Sequence, residues 1–134
     1  MSDDSPLIEM SDKDLGISDA VIFMGNVDNV FDYMSKSLCV ISTSLWEDPG
    51  FVMIETAICR KIIISSDCPN GPREIICNDD FLFTNGSVNE LLNKFELYKN
   101  KSKLELLNQR IQTKKKVKLY TLFQHYKELN LILN

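Results

Sequence analysis

Two short apolar runs, Leu38-Cys39-Val40-Ile41 and Ile62-Ile63-Ile64, bracket an acidic loop and a brief helical pattern, and this arrangement limits the fold more than any other feature. Each run is the length of a buried strand rather than of a globular helix. Pro49 and Gly50 interrupt any helix that would begin near Glu47, so the helical pattern starts only at Phe51. The reading is therefore strand, loop, helix, strand. It puts Glu47 in the loop at the carboxyl end of a strand and Glu55 on the first turns of the helix that follows. Both carboxylates can then face one crevice, and in an open α/β sheet that crevice is where ligands bind.

The remaining chain extends the same alternation. Ala20-Val21-Ile22-Phe23-Met24, closed by Gly25-Asn26, has the pattern of a fully buried parallel strand. Apolar residues at 30, 31 and 34 predict a one-faced helix begun near Asp28 or Asn29, leading to a strand over 38–42. Arg60-Lys61 complements the end of the 51–59 helix, and a strand over 62–65 runs into a loop fixed by Pro69, Gly71 and Pro72. Pro72 suits the first position of a short helix. Phe81-Leu82-Phe83 reads as a short strand, and Ser87 with Glu90 as a capping box opening the next helix. From Lys103 the spacing of Leu104, Leu107, Ile111, Val117, Leu122, Phe123, Tyr126 and Ile132 predicts one or two long helices. The fold class is α/β: a partial Rossmann-like domain with an open, mostly parallel sheet, crossover helices and a C-terminal helical tail. Residues 1–17 are expected to form a loose polar leader, 18–100 the partial Rossmann-like domain and 101–134 a basic helical tail. Three strands and a shorter fourth leave apolar faces in need of cover, which points to a fragment, a split subunit or an unusually small domain.

Size and composition bound the answer. At 134 residues with 44% apolar side chains the chain is one globular domain at most. No apolar run reaches the roughly 20 residues that span a bilayer. The opening Met-Ser-Asp-Asp-Ser lacks the charged and apolar regions of a signal peptide. Cys39, Cys59, Cys68 and Cys77 show no metal-ligand spacing, so four reduced thiols in a cytoplasmic protein, and no metal, are expected. His125 stands alone beside Phe123 and Tyr126, which removes a histidine base for a nucleophilic triad. The net charge of −4 divides unevenly, with −10 over residues 1–100 and +6 over 101–134. Lys114-Lys115-Lys116 with Lys118 is the densest basic cluster. It suits the solvated face of a helix, docking on the chain's own acidic body, or an anionic membrane. A nucleic acid fits less well, because no aromatic ladder accompanies the charge.

Over Ser44–Glu74 the sequence resembles the retaining glycosyltransferases of the GT-B fold, the large group 1 family (family 4) that includes sucrose synthases and many surface-polysaccharide sugar transferases. That family's pair of glutamates separated by seven residues corresponds to Glu47 and Glu55. Ser44 matches the serine before the pair, and Asp48-Pro49-Gly50-Phe51 matches its glycine-containing turn. Asp67-Cys68-Pro69-Asn70-Gly71-Pro72-Arg73-Glu74 matches the loop before the family's Pro-Glu helix. Val21–Gly25 and Phe81–Gly86 match two further strand ends. The resemblance implies the donor-binding, C-terminal part of such an enzyme, transferring a hexosyl group with retention from a nucleotide-sugar, such as a UDP- or GDP-sugar, to a saccharide or lipid-linked acceptor. It implies that Glu55 accepts hydrogen bonds from the ribose hydroxyls and that Glu47, the catalytic-site carboxylate, lies near the donor sugar's hydroxyls. The backbone of Gly50, Phe51 and Val52, with Ser44 and Glu74, would help to hold the donor. Carboxylates suit the task because each oxygen accepts a short charge-assisted bond.

Other readings stay open. The family's arginine and lysine that grip the donor diphosphate, and its acceptor-binding domain, would precede residue 1. A partner chain would then have to supply them, or the protein is a non-catalytic remnant that binds without turnover. Arg73 is either a diphosphate contact or a surface arginine paired with an acid, and Trp46 either lines the donor pocket or lies under the loop. An unrelated flavodoxin-like module would show a glycine-rich first loop, and Gly25-Asn26 is not one. Peripheral contact with the inner face of a membrane is the expectation attached to the basic tail.

Overall fold

The computed structural model describes residues 14–48 and 50–120. The expected leader before Asp14 and the features after Tyr120, His125 among them, lie outside the described residues, as does Pro49. The chain divides into two compact units, Met1–Val30 and Phe31–Asn134.

The described part of the first unit contains one 3-10 turn, Ser18–Ala20. Residues 21–24 follow without joining any sheet, and Ile22 is 80% exposed. The expected buried strand at 20–24 is therefore not formed. An apolar run becomes a strand only when a neighbouring strand takes up its N–H and C=O groups, and no described strand pairs with this one.

In the second unit the alternation appears as read. Helix α1 (Val30–Lys36) leads to β1 (Cys39–Ser42), α2 (Phe51–Ile58), β2 (Ile62–Ser66), α3 (Pro72–Ile76), β3 (Leu82–Phe83), α4 (Val88–Asn100) and α5 (Lys103–Val117). The strands form one parallel sheet in the order β1-β2-β3. Cys39 lies opposite Ile62, and Ser66 opposite Phe83. Every residue of the central strand β2 is buried, as a strand covered on both faces requires. Around it Met53 and Ala57 of α2, Ile75 and Ile76 of α3, Phe81, Tyr98 of α4 and Val117 of α5 form one core. The Tyr98 hydroxyl donates to the carbonyl of Leu38 at 3.0 Å, which joins α4 to the residue before β1.

Helix boundaries follow local chemistry. Pro72 occupies the first position of α3, where its missing N–H costs nothing. Ser87 caps α4 by accepting from the Glu90 amide. The expected return bond is absent, because the Glu90 carboxylate accepts from the Thr84 amide at 2.7 Å instead and fastens the preceding turn. That bond holds the Glu90 carboxyl below its ordinary pKa. The complete capping box lies at α5, where Ser102 and Glu105 satisfy each other's amides.

Candidate functional site

Three loops leave the carboxyl ends of the strands, and specific bonds draw them together. Ser66, the last residue of β2, donates its hydroxyl to the carbonyl of Ser44 at 2.5 Å. The Ser44 hydroxyl lies 3.2 Å from that of Ser42, the last residue of β1. Glu47 donates its amide to the carbonyl of Pro69 at 3.3 Å, which ties the first loop to the second. Beyond β3, Asn85 donates its side-chain amide to the carbonyl of Leu45 at 3.1 Å, which ties the first loop to the third. Asp67 closes the set by donating its amide to the carbonyl of Phe83 at 2.7 Å. The run Ser44–Glu47 is thus pinned from three sides to one edge of the sheet.

Gly50 makes the corner from this loop into α2. Its φ of 76° lies in the left-handed region that side chains disfavour. A Cβ there would also meet the Met53 Cε at 3.1 Å and the Glu47 Cβ at 3.9 Å. The carbonyl of Gly50 accepts the amides of Met53 and Ile54, so the amides of Phe51 and Val52 precede the first helical bond. Met53, Thr56 and Ala57 face the core, and Glu55, on another side of α2, is half-buried.

Glu47 is half-buried in the loop after β1, and Glu55 lies in the second turn of α2. Neither carboxylate takes part in a side-chain hydrogen bond or ion pair with a described residue. Ser44 and Glu47 are held at the sheet edge by the bonds above, Gly50 lies beside Glu47, and Phe51 and Val52 follow with exposed side chains. Trp46 is 57% exposed and does not lie under the loop. Glu74 lines a hollow of about 250 Å³ together with Asp48, Asn70, Gly71 and Tyr120. The Glu74 carboxylate accepts from the Tyr120 hydroxyl at 3.0 Å, and burial, with this bond second, raises the tyrosine's pKa.

Sequence reasoning did not single out Asp48, Asn70 or Tyr120. Asn70 had a readable signal: it precedes Gly71 in a proline-bounded turn, and the two adopt φ values of 64° and 113°. Tyr120 carried none, because its approach to Glu74 depends on how α5 packs. Arg73 is paired with acids, donating to Asp67 and, at 3.0 Å, to Asp79. The hydrogen bond to Asp67 is the leading cause that raises its pKa.

A parallel sheet with crossover helices, its loops gathered at the strands' carboxyl edge, has the architecture of an α/β nucleotide-binding domain. The sequence narrows this class. Residues 4–117 match the family model "Glycosyl transferases group 1", and the chain belongs to that family. It is similar to an uncharacterised glycosyltransferase of Methanocaldococcus jannaschii, with 36% identity over 63 residues, 47% of this chain and 16% of the relative. It is also similar to N-acetylgalactosamine-N,N'-diacetylbacillosaminyl-diphospho-undecaprenol 4-alpha-N-acetylgalactosaminyltransferase of Campylobacter jejuni, with 29% identity over 69 residues, 52% of this chain and 19% of the relative. The matched segments make up less than a fifth of the length of either relative.

Proposed function

We propose that this chain supplies the donor-binding half-site of a retaining hexosyl transfer, as the C-terminal part of a family 4, GT-B enzyme whose diphosphate grip and acceptor site come from a partner chain or further sequence. The donor is a nucleotide-sugar, a UDP- or GDP-sugar, and the acceptor a saccharide or lipid-linked saccharide. The observation that carries this reading is the pinning of Ser44–Glu47 to the sheet edge directly before the Gly50 corner. It fixes Glu47 close to the start of α2 while leaving its carboxylate, and that of Glu55, without side-chain partners among the described residues. In the proposal Glu55 accepts from the ribose hydroxyls and Glu47 from hydroxyls of the sugar being transferred. The amides of Phe51 and Val52 beside Gly50 face the negative charge of the donor, as helix starts do. Ser44 holds the loop by its carbonyl, and its hydroxyl, shared with Ser42, keeps the capacity for a further bond to the donor. Glu74 borders the same edge from the first turn of α3, just after the second loop.

Donor binding is tested by titrating the protein with UDP and GDP. Replacing Glu55 with Gln removes a charged acceptor and is expected to weaken the preferred nucleotide about 10-fold or more, on the roughly 1.5–3 kcal/mol of such a bond. Unchanged affinity would remove the ribose role. A second reading, binding without turnover by this chain alone, is favoured by the engagement of Arg73 with Asp67 and Asp79. Incubating the purified chain with a radiolabelled nucleotide-sugar separates the two, since released or transferred sugar would exclude the second. We place the protein in the cytoplasm, in peripheral contact with the inner face of a membrane where lipid-linked acceptors are presented. Among the described residues no helix is long and apolar enough to cross that membrane.

A further inference from the structure

We propose that the groove between Arg60 and the outward side of α5 is the surface by which this protein docks onto an anionic phospholipid bilayer. The helix buries Thr113 and Val117 against the core. At 3.6 residues per turn the flank next to these two gathers Lys103, Leu107, Arg110 and Lys114, and Leu104, Ile111 and Lys115 continue it outward. Leu104, Leu107 and Ile111 are 66%, 50% and 43% exposed, an aliphatic stripe left uncovered beside the cations. The one acid of the helix, Glu105, points elsewhere around its axis and is occupied by Ser102.

Arg60, at the turn after α2, closes the other side of a groove of about 600 Å³ that Leu107, Arg110, Ile111, Lys114 and Lys115 also line. No carboxylate of the described residues lines it. The Nε of Arg110 is buried there without a hydrogen-bond partner among the described residues. A merely solvated helix face would intersperse acids with lysines and would not hold an aliphatic stripe open to water. Cations flanking leucine and isoleucine match the boundary between lipid phosphates and acyl chains, the pattern of helices that lie in a membrane interface. The aliphatic floor offers no ring on which nucleic-acid bases stack. The charge agrees with an anionic surface, since residues 101–134 carry +6 against −10 in the rest of the chain.

This inference rests on the peripheral-membrane part of the function proposed above and is independent of donor binding. The test is co-sedimentation of the whole protein with phosphatidylcholine vesicles, with and without 30% phosphatidylglycerol, at 100 mM salt. We expect binding only when phosphatidylglycerol is present. Lys114→Gln with Lys115→Gln should weaken it about 25-fold, at about fivefold per charge. Lys116→Gln, on another side of the same helix, should cost less than about threefold. Leu107→Ser with Ile111→Ser, which keeps every charge, should also weaken binding, and circular dichroism confirms that each variant stays folded. No preference for phosphatidylglycerol, an equal loss for Lys116→Gln and Lys115→Gln, or full retention in the serine variant would each overturn the assignment. Nucleotide titration on the same samples separates the two proposals. Vesicle binding as expected without UDP or GDP binding would leave this surface standing and remove the donor site.

Discussion

Gly50 shows how one backbone position sets the geometry of the candidate site. Its left-handed φ of 76° turns the loop into α2, and the Met53 Cε at 3.1 Å from a would-be Cβ leaves no slack. Gly50→Ala is expected to destabilise the protein by about 1–2 kcal/mol through left-handed strain alone, read as a lower midpoint in urea. Tyr98→Phe tests a different bond. It strands the Leu38 carbonyl and should cost about 1 kcal/mol while leaving nucleotide affinity unchanged. Some of this detail could be read from the sequence. Pro49-Gly50 announced the corner, and Pro72 announced the start of α3. The partners could not be read, because the bonds from Asn85 to Leu45 and from Tyr120 to Glu74 join residues 40 and 46 positions apart. Only the packing of the elements sets those pairs.

At the level of elements, helix starts are where charge and stability meet. Glu105 is held below its ordinary pKa chiefly by the Ser102 hydroxyl, and Glu90 by the Thr84 amide. A carboxylate with a lowered folded pKa contributes stability above its unfolded pKa of about 4.3 and loses it as the pH falls through the folded value. Urea midpoints should therefore drop below about pH 4, and less steeply in Glu105→Gln, which has no such proton to take up. Ser102→Ala removes a cap and should cost about 1 kcal/mol. Periodicity located β1, β2, α2 and α3 because each carries its pattern within a few residues. It failed at 20–24, where five apolar residues in a row state that a strand would be buried but not which strand would lie beside it. It also assigned Glu90 to Ser87, when the Thr84 amide competed for the same carboxylate and won. The box at Ser102 and Glu105 carries the same S-x-x-E spacing, and sequence reasoning did not single it out.

Over the whole molecule, the three-stranded sheet and the relatives' far greater length point the same way. In the proposed reading the described strands supply one edge of a nucleotide-binding sheet. The residues most readable as functional, Glu47 and Glu55, are left without side-chain partners among the described residues, as groups reserved for a ligand would be. The most direct test is an ¹⁵N-labelled sample of the chain observed by NMR while UDP or GDP is added. The account predicts amide shifts concentrated at Ser44–Glu47, Gly50–Glu55 and Asn70–Glu74, with residues of α5 such as Leu107 and Lys114 unmoved. Saturating nucleotide that leaves the amides of Phe51, Val52 and Glu55 in place would contradict it.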